Sequence, residues 1–95
     1  MKTIDEQQSK KALLKKFSGK DNYKKPKADY LERLFSMPDK ALYEETRNAI
    51  WRSAYAANNP RSDYHWQCDA TYDEWVRRGN PDKYSRAHAA VSREA

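Results

Sequence analysis

Apolar residues along this chain recur at helical spacing. Between Ala28 and Phe35 the apolar side chains Tyr30, Leu31, Leu34 and Phe35 fall on one side of a helical wheel. A longer helix, from about residue 38 to 57, has one face rich in small residues, which we expect to be the central packing seam: Leu42, Thr46, Ala49, Ile50, Ser53 and Ala57. No segment shows the two-residue alternation of a half-buried strand. The pattern predicts an all-α fold, a small helical bundle of four to five helices.

The first third of the chain predicts a weaker element. Thr3 followed by Glu6 matches a capping box, so a helix is expected from about residue 4 to 17. Its apolar stripe is short and consists of Leu13, Leu14 and Phe17. Residues 18–27 then contain the helix breakers glycine, asparagine and proline. We therefore expect a basic, partly flexible N-terminal segment, residues 1–27, followed by a helical domain, residues 28–95.

Capping signals predict the helices of the second half. Ser62 and Asp63 are suited to cap a short helix that carries Tyr64 and Cys68, and Thr71 with Glu74 matches a second capping box. The helix starting there is expected to bury Tyr72, Trp75 and Val76. Gly79 suits the position after its end, and a last helix follows Pro81. The packing face expected for that helix consists of Tyr84, Ala87, His88 and Val91.

Charge is unevenly distributed along the chain. Residues 1–35 hold ten basic and five acidic side chains, whereas residues 36–95 hold nine of each, so the net charge of +5 arises in the first third. Residues 10–27 contain one acid, Asp21, and eight lysines: Lys10, Lys11, Lys15, Lys16, Lys20, Lys24, Lys25 and Lys27. Lysines beside phosphates displace condensed counterions. The cluster predicts sequence-independent nucleic-acid binding, for which the alternative interpretation is a solvated tail that aids solubility.

Other side chains would add to such binding. Phe17 and Tyr23 interleave with the lysines and are suited to stack on the bases of a single strand. Four arginines of the helical body would position the backbone: Arg47, Arg52, Arg77 and Arg78. Because the sequence has no helix-turn-helix, little base specificity is expected.

A second candidate surface combines aromatic and arginine side chains. Trp51 and Tyr55 lie four residues apart on the long helix, among Arg47, Asn48 and Arg52. Protein interfaces are enriched in tryptophan, tyrosine and arginine, so this face predicts a protein partner. The alternative interpretation is that the C-terminal helices fold over it, because a helix with two apolar faces is usually an interior one.

Signals for metal binding and catalysis are weak. His65 and Cys68 form one pair of zinc-type ligands, which His88, Asp69 or Asp73 would have to complete, but structural zinc sites normally contain two such pairs. Cys68 is better interpreted as a small buried group. With two glycines in the chain, neither a phosphate-cradling loop nor a nucleophile turn is present. We expect a non-enzymatic protein without metal or cofactor.

The remaining features concern partners and compartment. A single cysteine and the lack of an apolar stretch of about 20 residues predict a cytoplasmic protein that does not enter membranes. In size, charge and aromatic content the chain is similar to small accessory proteins of bacteriophages and plasmids. That resemblance implies binding of nucleic acid, or inhibition or redirection of a host enzyme or complex. A homodimer through the small-residue face of residues 42–57 is compatible with so short a chain.

Overall fold

The chain folds into a bundle of helices. A computed structural model describes the backbone of residues 2–21, 24–55 and 65–94, and within these ranges it contains five helices. They are α1 (Lys2–Lys16), α2 (Lys27–Ser36), α3 (Asp39–Tyr55), α4 (His65–Arg77) and α5 (Asp82–Glu94). The predicted all-α fold is confirmed. No helix in the described ranges is long and apolar enough to cross a membrane.

The small-residue face of α3 forms the central seam of the bundle, as its pattern predicts. α3 packs against α4 and α5, and it buries Leu42, Ala49 and Ile50. Thr46 is also buried, where its hydroxyl donates to the Leu42 carbonyl at 2.6 Å and accepts the Trp75 indole N–H at 2.9 Å. Because other helices of the same chain cover this face, it is not open to a second copy. The part of this face that the structure describes is thus occupied within the chain, and Ala57, predicted on the same face, lies outside the described residues.

One helix, α4, replaces the two that capping signals predict for this region. No proline or glycine interrupts residues 65–77, and Thr71 lies inside the helix with its hydroxyl donating to the Cys68 carbonyl at 2.8 Å. The buried stripe of α4 includes Cys68, Thr71 and Trp75. Tyr72 and Val76 each follow a residue of this stripe by one position, about 100° round the helix, and both are exposed. Their predicted burial is therefore wrong. Ser62, Asp63 and Tyr64 lie outside the described residues.

The end of α4 forms as the sequence predicts. Gly79 adopts a φ of +82°, a conformation that side chains with a Cβ rarely adopt. Its amide donates to the Val76 carbonyl at 2.9 Å, and the Asn80 amide donates to the Trp75 carbonyl at 2.8 Å. These two bonds make a Schellman motif. α5 then buries Ala87 and Val91.

His88 does not belong to the packing face of α5. Its side chain is exposed, because the stripe of α5 that docks on α3 is narrow and follows Ala87 and Val91. The prediction for His88 is therefore wrong.

α1 docks on α2 and α4. It begins at Lys2, so Thr3 lies within the helix and not at a cap. Phe17, just after the helix, is only 6% exposed and belongs to the main core cluster, against which Leu13 and Leu14 also pack. The short apolar stripe is therefore enough to attach the first helix to the bundle.

A tight turn joins α1 to α2. Lys20 and Pro26 form an isolated antiparallel bridge, and the Lys27 amide donates to the Gly19 carbonyl at 3.0 Å. The Asp21 carboxylate accepts the Lys25 amide at 3.0 Å. Gly19 has a φ of +99°, which explains why glycine suits this corner. The described part of residues 18–27 is thus tied to itself by backbone hydrogen bonds.

Candidate nucleic-acid interface

The outward face of α1 carries Lys11 and Lys15. At 100° per residue these two side chains lie opposite the docked stripe of Leu13 and Phe17. Both lysines are exposed, and neither forms an ion pair with a carboxylate of the described residues. Their ammonium groups therefore face solvent.

Three further lysines lie on the turn after α1: Lys20, Lys24 and Lys25. All three side chains are exposed. The only acid of this stretch, Asp21, accepts the backbone amide of Lys25 with its carboxylate and so helps to shape the turn. We call Lys11, Lys15, Lys20, Lys24 and Lys25 the open lysines, because their ammonium groups have no carboxylate partner within the described ranges.

Three lysines of the predicted cluster contact other side chains of the protein, and we call them the engaged lysines. Lys16 donates to the Asp73 carboxylate of α4 at 2.6 Å, and this hydrogen bond raises the pKa of Lys16. Lys10 lies 3.7 Å from the Glu6 carboxylate and 5.6 Å from the centre of the Phe35 ring. Lys27 lies over the ring of Trp66 at 5.3 Å. The sequence cluster therefore divides into five open and three engaged lysines.

The aromatic residues beside this surface differ from those predicted. Phe17 is buried in the core, so it cannot stack on a base, and that prediction is wrong. Tyr23 lies outside the described residues. Trp66, which the sequence analysis did not assign, is half-buried beside Tyr30 with ring centres 5.3 Å apart. Linear spacing gives no signal that residue 66 would lie next to residue 27.

A buried carboxylate holds the arginines at the end of α4. Glu74 is fully buried, and each of its oxygens accepts a bond of 2.6 Å from Arg77. Arg78 donates to the same carboxylate at 2.8 Å. The bond to Glu74 raises the pKa of Arg77. Glu74, predicted as part of a capping box, is therefore the centre of an ion-pair cluster that we call the Glu74 hub.

Arg78 also joins the hub to the end of α2. Its guanidinium donates to the backbone carbonyls of Leu34 and Met37 at 2.9 and 2.7 Å, and to the Asp39 carboxylate at 2.8 Å. Carbonyls at a helix end lack intrahelical N–H partners. Arg78 donates to the Met37 carbonyl and adds a second donor to the Leu34 carbonyl, which also accepts the Met37 amide at 3.1 Å. Arg77 and Arg78 thus have structural roles, and their predicted contacts with phosphates compete with these bonds.

Arg52 is also engaged by the protein itself. It donates to the Glu45 carboxylate at 2.6 Å and to the Gln67 side-chain oxygen at 3.1 and 2.9 Å. Glu45 in turn accepts the Tyr30 hydroxyl at 2.6 Å. This network connects α2, α3 and α4, and burial beside Glu45 raises the pKa of Tyr30.

The predicted protein-binding face is partly open. Trp51 is 42% exposed, so the interpretation that the C-terminal helices bury it is wrong. Its neighbours Glu44, Arg47, Asn48 and Val91 line a cavity of about 290 Å³ with it. Tyr55 lies in α3, and its side chain lies outside the described residues.

The zinc-type residues have other roles in the structure. The His65 Nδ1 atom lies 2.8 Å from the Ser53 hydroxyl oxygen, and the buried Cys68 thiol donates to the Ala49 carbonyl at 3.5 Å. Burial raises the pKa of Cys68, which disfavours the reactive thiolate. Among the described residues, no group of three or more histidine, cysteine or acidic side chains is placed to hold a metal ion.

No protein-family model, no curated protein and no solved structure matches the chain. The support for a function comes from the contacts and charges of the described side chains.

Proposed function

We propose that the protein binds the phosphate backbone of nucleic acid through the open lysines, without reading base sequence. The observation that supports this is a difference between two groups of basic side chains. Five lysines of α1 and the following turn have no carboxylate partner in the described ranges, whereas Arg52, Arg77 and Arg78 of the bundle are paired. A hydrated ammonium group exchanges counterions for phosphate at little structural cost.

The number of open lysines sets the expected salt dependence. Each lysine that contacts a phosphate releases condensed counterions, so five contacts give a slope of log K against log salt of about −4.5 on duplex DNA and about −3.5 on a single strand. Backbone contacts carry no sequence information, so oligonucleotides of equal length and different sequence should bind alike. The proposed role is one of binding and involves no catalysis.

A pair of matched variants tests the proposal. Lys11→Gln/Lys15→Gln removes two open lysines, and Lys40→Gln/Lys83→Gln removes the same charge from a surface where Lys40 and Lys83 line another cavity. Affinity for a labelled oligonucleotide is measured by fluorescence anisotropy between about 50 and 200 mM salt. The first variant should lower the magnitude of the slope by about two, and the second should leave it unchanged.

Two results would contradict the proposal. If both variants weaken binding equally, net charge alone is responsible and the open lysines have no special role. If replacing all five open lysines by glutamine leaves binding intact, the nucleic-acid interface lies elsewhere or does not exist.

The exposed Trp51 face supports a second candidate function, the binding of a host enzyme or complex. A tryptophan with 42% of its surface exposed beside a cavity is typical of an anchor at a protein interface. Tyr72, which is 43% exposed on α4, offers a matched control. After nuclease treatment, one partner should copurify with the unaltered protein and with Tyr72→Ala, but not with Trp51→Ala. Equal recovery with both variants would exclude this face.

A further inference from the structure

A cavity of about 360 Å³ opens beside the open lysines, between the turn after α1, α2 and α4. Its size falls in the lower range of small-molecule sites. Lys25, one of the open lysines, belongs to its wall. A strand held by these lysines therefore passes the mouth of the cavity.

Two aromatic residues line the cavity, and each makes a cation–π contact with a basic side chain. Tyr30 and Trp66 line it and meet edge to face, with 5.3 Å between ring centres. Arg33 lies over the Tyr30 ring at 5.4 Å, and Lys27 lies over the Trp66 ring at 5.3 Å. Proteins stack unpaired bases on aromatic rings and guanidinium planes. Because Tyr30 is only 6% exposed, the surfaces available here are the half-buried Trp66 ring and the exposed Arg33 side chain.

The charges around the cavity favour a neutral ligand. Lys25 and Arg33 are balanced by Asp21 and Asp29, so the lining has no net formal charge. A phosphate inside would lie close to two carboxylates, whereas a base offers these groups both donors and acceptors.

Gln67 adds hydrogen-bond donors to the lining. Its side-chain oxygen accepts both bonds from Arg52, so the amide NH₂ is the part of this side chain left to bind a ligand. An amide donor matches the carbonyl oxygens and ring nitrogens of a base.

We infer that this cavity takes an unpaired nucleobase from the strand whose phosphates the open lysines hold. The inference rests on the proposed function and deepens it, because it assigns single-stranded nucleic acid as the ligand. A base in a duplex is stacked and paired, so it cannot enter without first being extruded.

The test compares a thymidine homopolymer of 20 nucleotides with an abasic strand of the same length, which has the same phosphates and no bases. The unaltered protein should bind the thymidine strand about tenfold more tightly, since stacking of one base gives an effect of this order. Trp66→Leu keeps an apolar group against the neighbouring rings and should bind both strands alike. Tyr72→Leu, the same kind of change on a different face of α4, should keep the tenfold ratio.

Photocrosslinking keeps the inference testable even if Trp66→Leu does not fold. A strand containing 5-iodouridine is irradiated with the unaltered protein, and the linked residues are identified by mass spectrometry. Linkage to Trp66 supports the inference. Equal binding of the two strands, or linkage confined to the lysine-bearing segment, overturns the base site and leaves backbone binding intact. If neither strand binds, both proposals are wrong.

Discussion

The basic residues at the end of α4 and those of α1 carry the same charge in different surroundings. The Arg77 side chain is 8% exposed and holds a fully buried carboxylate, whereas the Lys16 side chain is 60% exposed in its pair with Asp73. Lys11 and Lys15, on the outward face of α1, have no acidic partner among the described residues. The two regions differ in how strongly the protein itself uses their charges.

This difference separates stability from binding. Removing one member of a buried ion pair leaves a desolvated charge and is costly, whereas an exposed pair contributes little. The Glu74 hub should therefore contribute to folding and be unavailable to ligands. The open lysines should contribute little to folding and be available to phosphates.

The largest expected effect is at the hub. Glu74→Gln keeps the size of the side chain but removes the carboxylate that Arg77 and Arg78 share. Two poorly hydrated guanidinium groups are then left without this partner, so we expect the free energy of unfolding to fall by about 3–5 kcal/mol. Urea denaturation followed by circular dichroism measures the change.

Glu44→Gln provides the control for that measurement. It makes the same change of charge on an exposed site of α3 and should alter the free energy of unfolding by less than about 0.5 kcal/mol. Similar losses in the two variants would mean that net charge, and not the buried hub, accounts for the effect.

A somewhat smaller effect is expected where α1 is attached. Phe17→Ala removes the ring that anchors α1 in the core cluster, at a cost of about 3 kcal/mol. Because α1 contacts only α2 and α4 strongly, the loss should appear first as undocking of this helix. Trypsin should then cleave faster after Lys11 and Lys15, while cleavage after Arg77 stays slow. Trp51→Leu, a change of an exposed apolar side chain on α3, should leave both rates unaltered.

The sequence predicts those parts of the fold that depend on neighbours along the chain. The apolar side of α2, the small-residue seam of α3 and the glycine that ends α4 are all local patterns, and the structure confirms each of them. Spacing of three and four residues fixes which side chains share a helix face, so such features can be predicted from one sequence.

The errors concern which helix faces pack, as for Tyr72, Val76 and His88, and which residues far apart in the sequence meet. Glu74 fits a capping box by its spacing from Thr71, yet its burial among Arg77 and Arg78 depends on how α4 packs. The lysine cluster is visible as a count, but the engagement of Lys16 requires Asp73, which lies 57 residues away. The wall of the cavity beside the open lysines likewise joins α2 to Trp66 of α4. Helical spacing places Arg77 and Arg78 beside Glu74 but does not give its burial, and no periodic pattern encodes the two contacts between distant segments.

High pH should destabilise the bundle through Tyr84 of α5. Burial and the neighbouring Cys68 raise the pKa of Tyr84 from about 10 to about 12. A group whose pKa is raised by folding stabilises the protein below its unfolded pKa, and this contribution is lost as the pH rises through the folded value. The urea concentration at the unfolding midpoint should therefore decrease as the pH rises from 10 to 12.

Tyr84→Phe separates this contribution from the others. For each protein, the urea midpoint is expressed relative to its value at pH 7. Between pH 10 and 12 this relative midpoint should decrease less in Tyr84→Phe than in the unaltered protein. Tyr30 and Lys16, whose pKa values are also raised, still titrate in this variant, so some slope should remain. Identical slopes in the two proteins would show that Tyr84 ionises as freely in the folded state as in the unfolded one.

The smallest effect gives the sharpest comparison, because it uses one substitution at two positions of one helix. Lys16→Gln breaks the exposed pair with Asp73 and should lower the free energy of unfolding by about 0.2–1 kcal/mol, whereas Lys11→Gln should cause no measurable change. Lys11→Gln should weaken nucleic-acid binding more than Lys16→Gln does, because Lys11 faces solvent and Lys16 must first leave Asp73. If Lys16→Gln costs no stability and weakens binding as much as Lys11→Gln, the division into open and engaged lysines is wrong.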